Sequence, residues 1–448
     1  MSDKPVVVVG GGIAGLTTAL ELQKQGRTVR VYEGTPHIGG RIDSVSDQGV
    51  IETGMQFYYS SYKRAFELLR AFDLEKDLVP IHVRGKMISN GEISTFDKSW
   101  PWLRLLSGGD NLRLQGAVAR QLLPLVRMTP FDYRERDPLD IDCVEYFRKL
   151  GGDAVVELAV RPMVTSYAFT EPEGHSLAMI LRIMRLGAFS KMYGLKGGND
   201  SLPKAIAKRL DVVHARVREI VVNDGKVEGV IIDGENGTET VETDTVVSAV
   251  RGSQAGELLP GAPLLSAAFD ELSYSNIVLV NLHLDQSLKG ADWTYVHSRP
   301  DGHRAAFAVD LTRRSPTMFP DDRSVLQVVF ADPEAGRLLS ADNDHICALA
   351  MADMEPFLPG VTETVRRTSV VRRVKALPNF KVGMFDKVRR IQGMAGEIRG
   401  LHLAGDYLRA PLCEGAVRSA HDAVQSISTA TLAPGAVLGE ASGIPSSC

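Results

Sequence analysis

Residues 6–15 read Val-Val-Val-Val-Gly-Gly-Gly-Ile-Ala-Gly, and no other stretch of the chain limits its fold so tightly. Four β-branched residues in a row predict a buried parallel strand. Gly10, Gly12 and Gly15 fall at the GxGxxG spacing. Gly10 permits a tight turn, Gly12 lets a pyrophosphate approach the backbone, and Gly15 lets the next helix pack close to the strand. Apolar Leu16, Ala19, Leu20 and Leu22 recur at helical spacing, which predicts a helix from about Ile13 to about Gln25, ended by Gly26. Its first residues, Ile13, Ala14 and Gly15, present N–H groups and the positive end of the helix dipole to phosphates. A second strand, Thr28 to Tyr32, closes on Glu33, at about the distance where an acid meets a ribose hydroxyl. A carboxylate there repels the 2′-phosphate of NADP, leaving NAD and FAD open.

The following residues separate those two. Gly34-Thr35-Pro36-His37-Ile38-Gly39-Gly40-Arg41 joins close backbone approach at Gly39 and Gly40 to the fixed charge of Arg41. This segment resembles the FAD-binding signature of the amine oxidase, protoporphyrinogen oxidase and carotenoid desaturase superfamily. The resemblance continues along the chain. Ile51 to Phe57 is similar to a family strand with a glycine beneath the flavin, which points to Gly54 and Met55. Lys196-Gly197-Gly198-Asn199-Asp200-Ser201-Leu202-Pro203 resembles a turn before a helix that re-enters the FAD domain. Val213 to Ile220 reads as a strand, where the resemblance places Val217 under the adenine. Thr245 to Val250 resembles the next strand. In Gly400 to Tyr407, the resemblance sets Gly405 and Asp406 against FAD phosphate and ribitol. Cys413-Glu414-Gly415-Ala416-Val417 then opens a helix whose N-terminus faces the flavin pyrimidine, where it can stabilise negative charge on reduced flavin. The family's flavin-linking cysteine lies elsewhere, so the FAD is expected to be non-covalent.

The expected fold is α/β, a Rossmann-type FAD-binding domain with a mixed-sheet and helical substrate domain. Its FAD-binding parts are 1–80, 190–262 and 365–430. The helical substrate part is 81–189, with helices at Asn111 to Leu125 and Leu177 to Leu186. The sheet part is 263–364, with strands at Ile277 to Leu284, Ala305 to Leu311 and Val325 to Phe330. Residues 431–448, small and rich in Gly, Pro and Ser, read as a flexible tail. A hydrophobic fraction of 44%, a charged fraction of 24% and a net charge of -4 suit a globular protein, and no basic block suggests a nucleic-acid partner. Cys143, Cys347, Cys413 and Cys448 form no CxxC, so no metal site or redox dithiol is expected and a cytoplasmic setting is. The uncharged run from Pro5 to Leu20 is too short and glycine-rich for a membrane span. Trp100-Pro101-Trp102-Leu103 and the apolar helices of the first insert leave peripheral membrane contact open.

Two departures from the amine oxidase pattern bear on the reaction. Amine oxidases resemble one another in a lysine beside the flavin; in Ser275-Asn276-Ile277-Val278-Leu279 its place falls on Val278. They also carry an aromatic cage residue where this chain has Leu412. Gln56, Tyr58, Tyr59, Leu412 and Cys413 are the candidates to line the substrate, and no catalytic acid or base is identified. The resemblance therefore implies hydride transfer to flavin from a C–C or ring C–N bond of an apolar small molecule, with oxygen or a quinone as acceptor. The alternative is amine or amide oxidation at a C–N bond. More remote is a non-enzymatic binder like the GDP-dissociation inhibitors.

Overall fold

A computed structural model describes residues 4–47, 49–82, 84–89, 91–97, 137–234, 237–290, 294–297, 302–319 and 323–432, with 109, 112, 116 and 131 in addition. Val6–Val9 is the central strand of a five-stranded parallel sheet. It pairs with Val29–Tyr32 on one side and Val246–Ser248 on the other. Val212–Val213 and Leu401–Leu403 form the two edges. All four valines of the central strand are buried. That is why the stretch is uniformly apolar: a parallel sheet is covered on both faces. The helices Ile13–Lys24 and Cys413–Leu432 pack against each other and contribute Leu16, Leu20, Val417 and Val424 to this core. Strand order reverses at Val6–Val9, so a ligand crevice is expected at the carboxyl end of that strand.

A seven-stranded sheet forms a second layer, in the order 365–378, 274–284, 325–331, 307–310, 294–297, 84–89 and 92–97. Tyr274–Leu284 is its spine, with antiparallel partners along both sides. Side chains alternate across this strand. Val278, Val280 and Leu282 pack with Ile346, Cys347 and Ala350 of the helix Asn343–Met354. Ile277 and Leu279 face the other way, toward Ala376 and Val329. Helices Cys143–Val155, Arg161–Ala168 and Leu177–Phe189 form a third cluster, joined by a π-helical turn at Val156–Val160.

Several expectations need correction. Val213 to Ile220 is not one strand. Val212–Val213 ends in the parallel sheet, Ala215 N–H turns back to the Val213 carbonyl, and Val217–Asn223 starts a separate antiparallel sheet. Val278 does not face the candidate site, because it points into the helix layer on the opposite side of its strand. The last helix runs through Thr431 to Leu432, so the tail does not begin at 431. The expected features at Trp100 to Leu103, Asn111 to Leu125 and 433–448 lie outside the described residues, isolated positions aside. Among the described residues, no helix is long and apolar enough to cross a membrane, and no cluster of His, Cys, Asp and Glu could hold a metal ion.

Candidate cofactor site

Gly12 caps the first helix, and no side chain satisfies the N–H groups behind it. A Cβ at Gly12 would meet nothing within 4 Å, whereas one at Gly15 would lie 2.0 Å from the Gly10 carbonyl oxygen. Gly15 is therefore small so that helix and turn can pack, and Gly12 is small toward open space. Uncapped amides of Ile13, Ala14 and Gly15 beside a bare backbone suit the two phosphates of a dinucleotide. The loop 39–41 lies beside this turn. Gly39 N–H donates to the Gly11 carbonyl at 3.0 Å, and Gly40 approaches Gly12. Glu33 closes the other flank: its carboxylate accepts from Gly11 N–H at 2.8 Å and from the N–H and hydroxyl of Thr35 at 2.8 and 2.7 Å. Val217 is the buried first residue of its strand, and neighbouring Arg216 packs against Gly34. The glycine turn, Glu33 and the start of the Val217 strand thus lie side by side.

Arg41 and Asp406, far apart in sequence, meet beside this turn. The guanidinium donates to both carboxylate oxygens at 2.6 Å and to the Ala376 carbonyl at 3.1 Å. A bidentate pair of this kind is both strong and directional. The Arg41 carbonyl accepts from Met55 N–H at 2.9 Å, and a Cβ at Gly54 would lie 2.1 Å from that same oxygen. Gly54 and Met55 are thereby held directly against the arginine loop. Gly405 N–H donates to the Ser419 hydroxyl at 2.8 Å, which ties the Gly-Asp turn to the last helix. That helix begins at Cys413, and Gly415 fits against the Ala410 backbone, where a Cβ would sit 2.3 Å from the carbonyl oxygen. Ala416 is buried at the close of its first turn and its N–H donates to the Leu412 carbonyl at 3.1 Å.

The side chain of Glu414 is already engaged. It accepts from Arg64 N–H and Ala65 N–H at 3.2 and 3.0 Å, capping the helix Lys63–Ala71, and from Arg418 Nε at 2.8 Å. Only its backbone can serve a cofactor. Tyr58 and Tyr59 are also corrected as lining residues: both are fully buried in the main core. The Tyr58 hydroxyl donates to the Asn199 carbonyl at 3.2 Å, and that of Tyr59 lies 2.5 Å from Tyr167 Oη. Their short strand pairs with Met192–Leu195, and core residues cover both of its faces. Leu412 packs partly buried at the rim of that core, and Cys413 is buried, with burial pushing its thiol well above the usual range.

A buried polar layer joining the two sheets escaped notice in the sequence. Glu52 is almost wholly enclosed; it accepts from Ser44 Oγ at 2.6 Å and Asn199 N–H at 2.9 Å, and burial raises its carboxyl to about 7. Gln56 accepts from Arg314 Nη1 at 2.7 Å, and burial lowers that guanidinium to about 10. Gln327 donates to the Glu52 carbonyl at 3.0 Å and to Asn281 Oδ1 at 2.9 Å. Arg373, from the 365–378 strand, holds Asp43 and Thr53. Asn281, set between the apolar runs Ile277 to Val280 and Leu282 of a buried strand, was a signal available in the sequence.

The profile of the flavin containing amine oxidoreductase family matches residues 13–428. The zeta-carotene desaturase of Arabidopsis thaliana is 26% identical, over 90% of this chain and 81% of its own. The coproporphyrinogen III oxidase of Bacillus subtilis is 20% identical, over 90% of this chain and 94% of its own. The solved structure of putrescine oxidase bound to putrescine shares the fold, with a TM-score of 0.75 at 19% identity, covering 95% of this chain and 99% of that one. With the family match spanning nearly the whole chain, the protein belongs to the flavin containing amine oxidoreductases and is an FAD-dependent oxidoreductase.

Proposed function

We propose that this enzyme takes hydride from a C–C or ring C–N bond of an apolar small molecule, in the manner of a desaturase or porphyrinogen oxidase. The observation that carries this reading is the inner face of the Tyr274–Leu284 strand. It bears Ile277, Leu279 and Asn281, and no lysine stands where amine oxidation would use one. Leu412 in place of an aromatic cage residue supports the same reading. Full-length similarity to a zeta-carotene desaturase and a coproporphyrinogen oxidase adds to it.

In this reading FAD is bound non-covalently by residues of 1–80, 190–262 and 365–430, and supplies the hydride acceptor. Gly10, Gly12 and the amides of Ile13, Ala14 and Gly15 hold the phosphates. Glu33 holds a ribose, and the Val217 backbone meets the adenine. Gly39, Gly40, Arg41, Gly405 and Asp406 orient the pyrophosphate and ribitol. Gly54, Met55 and the backbone of Glu414, Gly415 and Ala416 frame the flavin ring. Gln56, Leu412 and Cys413 shape the space beside it. Cys413, kept protonated by burial, and Gln56, tied to Arg314, offer no general base. Catalysis then rests on position and the exclusion of water. The test is anaerobic rapid mixing of oxidised enzyme with benzylamine or putrescine. Flavin bleaching should be negligible with either amine and appreciable with coproporphyrinogen III or a liposome-borne polyene. Fast, complete bleaching by an amine would restore amine oxidation.

A further inference from the structure

Arg251 follows Ala249 and Val250, the two residues that pack against Gly10 in the phosphate turn; an added Cβ at Gly10 would lie 3.0 Å from the Ala249 carbonyl oxygen and 3.3 Å from Val250 Cγ1. On the opposite side, Arg41 follows Gly40, which packs against Gly12. The two arginines then converge on one segment, the end of the 365–378 strand. Arg251 Nη1 donates to the Val374 carbonyl at 2.7 Å and the Lys375 carbonyl at 3.4 Å, while Arg41 Nη1 donates to the next carbonyl, Ala376, at 3.1 Å. Lys375 takes a left-handed conformation, φ 51°, to present these carbonyls.

Asp406 is bonded to Arg41 and not to Arg251. Arg251 spends Nε on Gln254, and its Nη2 donates to no group among the described residues. Burial and the neighbouring charge of Arg41 both hold the Arg251 guanidinium below its ordinary value, so the two cations sense each other. Tyr274, whose hydroxyl accepts from Gly252 N–H at 2.9 Å, is a neutral phenol within electrostatic reach of both. Asp406 neutralises Arg41, whereas Arg251 has Glu257 only within electrostatic reach and is bonded to no carboxylate among the described residues. A group with two negative charges placed there relieves the repulsion.

The geometry points to Arg251 as a second cation for the FAD pyrophosphate, opposite Arg41, with Nη2 as the donor that the phosphate takes. This rests on the family's cofactor and on no particular substrate. The test uses apoprotein titrated with FAD, followed by quenching of flavin fluorescence, and with riboflavin, which has no phosphate. Arg251→Gln should raise the Kd for FAD about tenfold, as expected for a lost charge-assisted bond, and leave that for riboflavin unchanged. Inorganic pyrophosphate should compete with FAD in the wild type and compete less in the variant. Arg251→Lys keeps the charge but not the fork that spans carbonyl and phosphate, and should weaken FAD by about threefold. If Arg251→Gln does not fold, the lysine variant decides alone: an unchanged FAD Kd overturns the proposal. Equal weakening of FAD and riboflavin also overturns it, because Arg251 would then only prop the 374–376 turn. A wild-type apoprotein that takes up no FAD would instead overturn the cofactor itself.

Discussion

Glu33 and Glu52 are both acids bonded to backbone N–H groups, yet their surroundings give them different work. Glu33 sits half-buried at the end of its strand and organises the phosphate turn through Gly11 N–H. Its loss removes charge-assisted bonds each contributing roughly 1.5–3 kcal/mol. Glu33→Ala should therefore raise the Kd for FAD at least tenfold while the rate of reduction in fully loaded enzyme changes little; an unchanged Kd would reduce Glu33 to a turn residue. Glu52 is enclosed, and burial moves its carboxyl from 4.5 to about 7. Between those values the folded protein keeps a proton that the unfolded chain has released. Stability from this group is then complete below about pH 4.5 and is lost as pH rises through about 7. His175 and His402, lowered by burial to about 4, act in the opposite sense over part of that range. The useful measurement is thus the difference between wild type and Glu52→Gln in urea unfolding. The wild type should lose roughly 1–3 kcal/mol relative to the variant between pH 5 and 8. A constant difference across that range would refute the buried-acid assignment.

At the scale of elements, the strand–turn–helix of residues 6–24 separates binding from folding. Gly15→Ala drives a methyl into the Gly10 carbonyl and should cost about 1–3 kcal/mol of apoprotein stability. Gly12→Ala projects into open space from an ordinary backbone conformation, so apoprotein stability should fall by about 1 kcal/mol or less while FAD uptake is lost. Thermal unfolding and FAD titration of the two variants should move independently; parallel losses would show that Gly12 is structural. This unit was legible in the sequence because its signals are local: a β-branched run, glycines at fixed spacing, apolar residues at helical spacing. What was not legible depends on which face of an element is turned inward. Val278 was misplaced because a one-residue shift along a strand moves a side chain to the opposite face. Tyr58 and Tyr59 lie close to Gly54 in sequence, but core residues cover both faces of the strand they form beside Met192–Leu195. The Glu52, Gln56, Arg314, Gln327 and Asn281 layer joins residues distant in sequence, and no spacing rule announces it.

At the scale of the whole molecule, the site is a junction. Arg41 and Asp406 join residues near the two ends of the chain, and Arg373 ties the second sheet to Asp43 and Thr53. A ligand that bridges these parts binds only the assembled form, and at a hundred times its Kd it adds about 2.7 kcal/mol to stability. The apoprotein should accordingly melt several degrees lower than enzyme with excess FAD, in one transition rather than two. Acid precipitation should release all of the flavin; colour retained in the pellet would refute non-covalent binding. The order of the parallel sheet has a further consequence, for synthesis. Its central strand, Val6–Val9, is made well before its neighbour Val246–Ser248, and the edge strand Leu401–Leu403 follows later still. Until then the valine run has one flank without a partner and lacks its covering helix, Cys413–Leu432. A nascent chain of this protein thus exposes an apolar strand for as long as those partners are missing, which makes it a natural client for chaperones that shield such strands.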